Sequence, residues 1–245
     1  MAQQQSKQQL QATVAAIQAR WGPRALTTAR ERKPPGGLPS SIAALDALLP
    51  HGGFPRGGIA ELCGYGTAGH LPIAARALAQ AQGVHSQVVA VDAEGSLDLA
   101  TLAHCGVQME TLAILRARNF AHALQMTTDL LQAGFAGALL LDRLRDLYAL
   151  ADGETLQRLE QALRDWGPLL ARSGTTLLWL TELSAPGLYP EGLPLAYAAG
   201  VRLLCERQRW LARGQRVTGY VSRVTLCKSR GGSPEAHLTL RFSLA

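Results

Sequence analysis

Apolar positions recur along the chain with two periods. Leu10, Val14, Ile17 and Trp21 fall three to four residues apart, which predicts a short amphipathic helix over 10–21, ended by Gly22 and Pro23. A basic connector follows and closes on Lys33, Pro34, Pro35, Gly36 and Gly37. That punctuation predicts a boundary, with residues 1–36 an N-terminal helix and basic linker and 37–245 a core domain. Residues 41–49 predict a helix that turns Ile42, Leu45 and Leu48 or Leu49 inward, and 52–58 a Gly/Pro turn. From there the periods alternate. Strands are predicted at 59–63, 88–91, 112–115, 138–141 and 175–180, and helices at 73–81, 98–104, 122–133 and 155–172. Such alternation predicts an α/β fold with a mainly parallel central sheet flanked by helices on both faces. Beyond residue 200 the pattern becomes period two over 201–205, 217–227 and 237–242, which predicts antiparallel edge strands at the C-terminus.

Composition narrows the class. The chain is 47% apolar and 17% charged, so it can bury a core and is not a disordered tail. The formal net charge of +6 is concentrated at the two ends. Lys7, Arg20, Arg24, Arg30, Arg32 and Lys33 face a single acid, Glu31, near the start. After residue 200 come Arg202, Arg207, Arg209, Arg213, Arg216, Arg223, Lys228, Arg230 and Arg241, against Glu206 and Glu235. This asymmetry points to a polyanionic partner, with a solvated basic surface as the alternative reading. The four cysteines, Cys63, Cys105, Cys205 and Cys227, are far apart, so neither a metal site nor a disulfide framework is expected. The first residues are Gln-rich and lack a signal-peptide core, and no apolar run approaches the ~20 residues of a membrane span. A cytoplasmic protein without membrane contact is expected.

One stretch carries chemistry. Residues 64–71 have the frame of a phosphate-binding loop, G-x-x-x-x-G-K-[ST], with Gly64 and Gly69 at the required spacing and Gly66 between them. The Lys that would contact phosphate is His70, and the Ser/Thr that would hold magnesium is Leu71. A charged hydrogen bond is worth about 1.5–3 kcal/mol, so its loss alone weakens nucleotide binding by roughly 10- to 150-fold. Backbone amides at a helix N-terminus still attract phosphate without it. ATP and magnesium are therefore weakened cofactors at most. His70 is expected to be an exposed loop side chain filling an empty phosphate position. In open α/β sheets ligands gather at the carboxyl ends of strands. Glu94 and Asp142 follow two of the predicted strands there. Asp142 suits a magnesium-shell acid or a strand cap, and Glu94 an acid that orients water. Arg143, Arg145, Arg207, Arg209 and Arg213 are the candidate DNA contacts.

These residues resemble the bacterial RecA recombinases along nearly the whole chain. Residues 10–22 resemble the family's docking helix, and 53–61 its approach to the phosphate loop. The run Val91, Asp92, Ala93, Glu94, Gly95, Ser96, Leu97, Asp98 is the most specific match. The resemblance implies a RecA-like phosphate-loop NTPase fold, Glu94 as the water-activating acid, Asp98 near adenine and Asp142 as the magnesium-side acid. It implies that Lys228 and Arg230 reach the nucleotide of an adjacent subunit, and that the family's phosphate-sensing glutamine falls on Glu182. The departures at His70, Leu71 and Glu182, and the short segments 143–154 and 184–194, put hydrolysis and strand exchange in doubt.

A second resemblance is to the ImuA-type RecA-like proteins of mutagenic translesion synthesis, carried by residues 37–57 and 228–232. Together the two imply a DNA repair and recombination protein, linked to the SOS response or translesion synthesis. Its partners would be single-stranded DNA and a RecA-like filament, itself or translesion polymerase subunits. The alternatives are a weak DNA-dependent ATPase using Glu94 and Asp142, and a purely structural adaptor.

Overall fold

Glycine and proline punctuation divides the chain into two compact units, Met1–Pro35 and Gly36–Ala245. The computed structural model describes residues 2–22, 36–84, 87–142, 153–189, 192–230 and 234–244. In the first unit, helix α1 (Ala2–Trp21) extends the expected helix toward the N-terminus. Its apolar positions Leu10 and Trp21 are 64% and 69% exposed.

The second unit is one eight-stranded sheet. In chain order its elements are α2 (Ala43–Leu48), β1 (Gly58–Gly64), α3 (His70–Gly83), β2 (Gln87–Asp92) and α4 (Leu99–His104). Then follow β3 (Leu112–Arg116), α5 (Phe120–Ala133), β4 (Ala136–Leu141), α6 (Gly153–Ser173) and β5 (Thr176–Glu182). The last are α7 (Leu195–Ala198), β6 (Val201–Arg213), β7 (Arg216–Ser229) and β8 (His237–Ser243). The strands lie in the order β3-β2-β4-β5-β1-β6-β7-β8. Pairs from β3 to β6 are parallel, and β6-β7-β8 close antiparallel, as the change of period after residue 200 predicts.

The central strands read as apolar runs because helices cover both their faces. On one face Leu62, Leu140, Leu178 and Leu203 pack with Ile73 and Leu78 of α3. On the other, Val89, Leu139, Leu177 and Trp179 pack with α5 and α6. Leu159, Leu163, Trp166 and Leu170 place the buried stripe of α6 at the spacing an amphipathic helix requires. The Trp166 indole donates to Thr128 Oγ1 at 2.8 Å, so its one polar atom is satisfied inside the core.

Local chemistry sets the ends of these elements. Asn119 caps α5 by accepting from the His122 amide at 2.9 Å, and Gly134 ends it in the left-handed region at φ 67°. Two strands run longer than expected. β6 continues from Cys205 to Arg213 and β7 begins at Arg216, so their hairpin extends past the parallel body of the sheet.

Candidate phosphate-loop site

β1 delivers the chain into the loop at Gly64, and α3 leaves it at His70. Gly69 stands at φ 102°, a left-handed conformation that a side chain would strain. Helix α3 starts three residues earlier than the apolar pattern suggests. Pro72 is then its third residue, and proline is tolerated in a first turn because amides there have no intrahelical acceptor.

Contrary to the expected exposed side chain, His70 is 3% exposed. The cause is the register of β1 with β5, which sets Gly64 beside Glu182. The Gly66 amide donates to Glu182 Oε1 at 2.7 Å, and Glu182 Oε2 lies 3.6 Å from His70 Nε2. The imidazole also lies against Gly64, so closely that a methyl group there would overlap Nδ1. Nδ1 itself is buried and has no hydrogen-bond partner. Leu71 is buried as well, and offers no oxygen to a cation.

The C-terminal strands complete the loop's surroundings. Arg207 Nη1 donates to the Thr67 carbonyl at 2.8 Å, and its guanidinium carbon lies 4.0 Å from the centroid of the Trp210 ring. Phe242 of β8 reaches Gly69, where a methyl group would come within 2.6 Å of its ring. The Phe242 ring stacks on Tyr220 at 5.2 Å between centroids. Beside the loop opens a cavity of about 360 Å³, bordered by Arg76, Asp98, Thr101, His104, Arg241 and Ser243. Among the described residues no group of three or more His, Cys, Asp or Glu side chains could hold a metal ion.

The remaining acids take separate places. Asp98 caps α4, accepting from the Thr101 amide at 3.0 Å and from the Thr101 hydroxyl at 2.6 Å. Asp142 follows β4, is 1% exposed, and is tied through its amide to the Val91 carbonyl at 3.0 Å. Glu94 is exposed in the turn after β2, whose shape Asp92 fixes by accepting from the Ser96 amide at 3.0 Å. Glu94 and Asp142 thus follow neighbouring strands, and neither borders the cavity. Lys228 pairs in register with Arg202, whereas the loop end of β1 pairs with Cys205. Lys228 is therefore set back from its own chain's loop, and its ammonium donates to the carbonyls of Ala196 at 2.9 Å and Tyr197 at 2.8 Å. Burial, then Arg230 and Arg202 nearby, holds Lys228 below the usual lysine range. Arg230 is exposed just past β7.

Of the expected DNA contacts, Arg143 and Arg145 lie outside the described residues. Arg207 is turned toward the loop. Arg209 lies opposite Val221, and Val221 opposite Arg241, so these two arginines share one face of β6-β7-β8. Arg223, two residues from Val221, belongs to the same face. All three are exposed, and none makes an ion pair among the described residues. Arg213 and Arg216 flank the hairpin turn.

Glu61 gave no sequence signal beyond a charge inside an apolar strand. It is fully buried, accepting from Arg202 Nε, Thr181 Oγ1 and the Tyr189 hydroxyl, each at 2.8 Å. Burial and then the Glu61 charge push the Tyr189 hydroxyl well above its ordinary range.

A glycine loop between the first strand and a helix, on a sheet of this order, defines a phosphate-loop α/β protein. The RecA N-terminal domain matches residues 8–243, so the chain belongs to the RecA family of recombination- and repair-related proteins. It is 27% identical to protein RecA 1 of Myxococcus xanthus, over 94% of this chain and 74% of that protein. Identity is 29% to protein RecA of Rubrobacter xylanophilus, over 80% of this chain and 62% of the relative. It is also 29% to protein RecA of Streptomyces avermitilis, over 92% and 65% respectively. The chain thus spans about two thirds of the length of these relatives. Among the described residues, no helix is long and apolar enough to cross a membrane.

Proposed function

We propose that this protein is a RecA-like DNA-binding accessory of repair, one that works as a scaffold with a weakened nucleotide site. The observation that carries the reading is the open face of β6-β7-β8, where Arg209, Arg223 and Arg241 stand exposed without ion-pair partners. Helices cover both faces of the central strands, but this face of the antiparallel extension presents its cations to solvent. Each lies within about two strand spacings of the others, a spread of about 10 Å that suits successive backbone phosphates. Single-stranded DNA is the proposed ligand. Exposed Leu10 and Trp21 on α1 support association with a second copy or a RecA-like filament. The ImuA-type resemblance of residues 37–57 and 228–232 supports a place beside a translesion polymerase in the SOS response. The test is binding to a fluorescent single-stranded oligonucleotide across a salt series. Affinity that falls steeply with salt is expected, and no affinity at low salt overturns the proposal.

A second reading, a weak DNA-dependent ATPase, is favoured by the burial of Asp142 at the carboxyl end of β4. It assigns magnesium to Asp142, water activation to Glu94 and a contact across subunits to Lys228 and Arg230. Phosphate release by the wild type and by Glu94→Gln decides it. Equal background release by both rules the enzyme out.

A further inference from the structure

A phosphate loop works by pointing free backbone amides at an anion beside the N-terminus of a helix. In this chain three of those positions no longer offer a free donor. The Gly66 amide donates to Glu182 Oε1 at 2.7 Å, and the Ala68 amide turns back to the Gly66 carbonyl at 2.9 Å. Pro72 removes another donor from the first turn of α3. The side chain at the lysine position, His70, points at the same carboxylate, 3.6 Å from Nε2 to Oε2.

The carboxylate is held there from several sides. Its backbone pairs with Gly64 in the β1-β5 ladder, and the Leu183 amide extends that ladder by donating to the Gly64 carbonyl at 2.8 Å. Gly64 has no side chain, which leaves room for the His70 ring. Arg207 fixes the far side of the loop through the Thr67 carbonyl.

We infer that Glu182 is the resident anion of this loop, a carboxylate of the chain itself occupying the position that an oligophosphate would otherwise take. The inference rests on reading residues 64–71 as a phosphate loop and does not depend on DNA binding. An incoming phosphate meets a fixed negative charge where it needs donors, and binds only when Glu182 leaves Gly66 and His70. The missing lysine and the substituted acid then act together: one removes attraction, and the other supplies repulsion.

The experiment is titration calorimetry of the full chain with inorganic tripolyphosphate, comparing wild type, Glu182→Ala and Glu182→Gln. Glu182→Ala is expected to bind at least about tenfold more tightly than the wild type, a factor equal to ~1.4 kcal/mol. Glu182→Gln still accepts from the Gly66 amide and is expected to fall between them, so it carries the test if the alanine variant does not fold. Equal affinity of the wild type and a folded variant overturns the inference. Oligonucleotide affinity is measured on the same samples and is expected to stay unchanged. If DNA binding is absent from all three while tripolyphosphate binding rises, the DNA reading fails and the resident anion stands.

Discussion

Arg202 Nε donates to Glu61 Oε2 at 2.8 Å, joining β6 to a carboxylate with no solvent exposure. The Arg202 guanidinium carbon also lies 4.1 Å from the centroid of the Tyr189 ring. Every partner the carboxylate needs comes from a different segment, so the network fastens β1, β5, β6 and residue 189 together. Breaking a buried pair strands a charge, which costs about 3–5 kcal/mol, whereas replacing both partners by apolar groups is often neutral. Arg202→Met is therefore expected to lower urea stability by about that much, and Glu61→Leu with Arg202→Met to recover part of it, because the Thr181 and Tyr189 hydroxyls then lose their acceptor. A double variant no better than the single one would show that the pair is not coupled.

Gly64 and His70 form a steric pair. Gly64→Ala is expected to destabilise by about 1–3 kcal/mol through overpacking against the imidazole. In a His70→Ala background the same change is expected to cost less, with the Ala68 Cβ at 3.0 Å the remaining close contact. Thermal melts of the four proteins give a coupling of about 0.5–3 kcal/mol if the contact is as described.

On the basic face, Arg209→Gln, Arg223→Gln and Arg241→Gln are each expected to reduce the slope of log affinity against log salt by about one. Arg207→Gln is expected to leave that slope alone, because its guanidinium serves Thr67 and Trp210. Fluorescence anisotropy in a salt series makes the comparison.

Asp98 has a structural duty that a nucleotide role must be separated from. Asp98→Ala removes the cap of α4 and is expected to cost about 1 kcal/mol, while Asp98→Asn keeps most of it. Chemical denaturation distinguishes the two substitutions.

Thiol chemistry reports on the core. Burial, reinforced by Glu61, pushes the Cys63 thiol well above its ordinary range, and burial does the same to Cys205. Cys227 is exposed. Iodoacetamide is expected to label Cys227 first at mildly alkaline pH, with Cys63 and Cys205 reacting only on unfolding, as mass spectrometry of timed samples would show.

The layered body was legible because its strands and helices differ in hydrophobic period, and the positions of Asp142 and Glu94 after β4 and β2 were legible from the apolar runs before them. The long β6-β7 hairpin was not. Glu206, Arg207, Gln208 and Arg209 form a polar run in which a bulge interrupts the alternation, so period two is lost although the strand continues. The partners of Glu61 and Glu182 were hidden for another reason. A carboxylate in or after an apolar strand signals burial only once the distant residue that satisfies it is known. The inward turn of His70 followed from the same gap, since Glu182 lies on another strand altogether.

Phe242 over Gly69 has a consequence for the order of assembly. A short loop can close in well under a microsecond by itself. Here one wall of it is supplied by β8, which is held in place by pairing with β7, itself paired with β6. The segment that resembles a self-contained motif thus gains its final shape through some of the most distant contacts in the chain, the slowest kind to form.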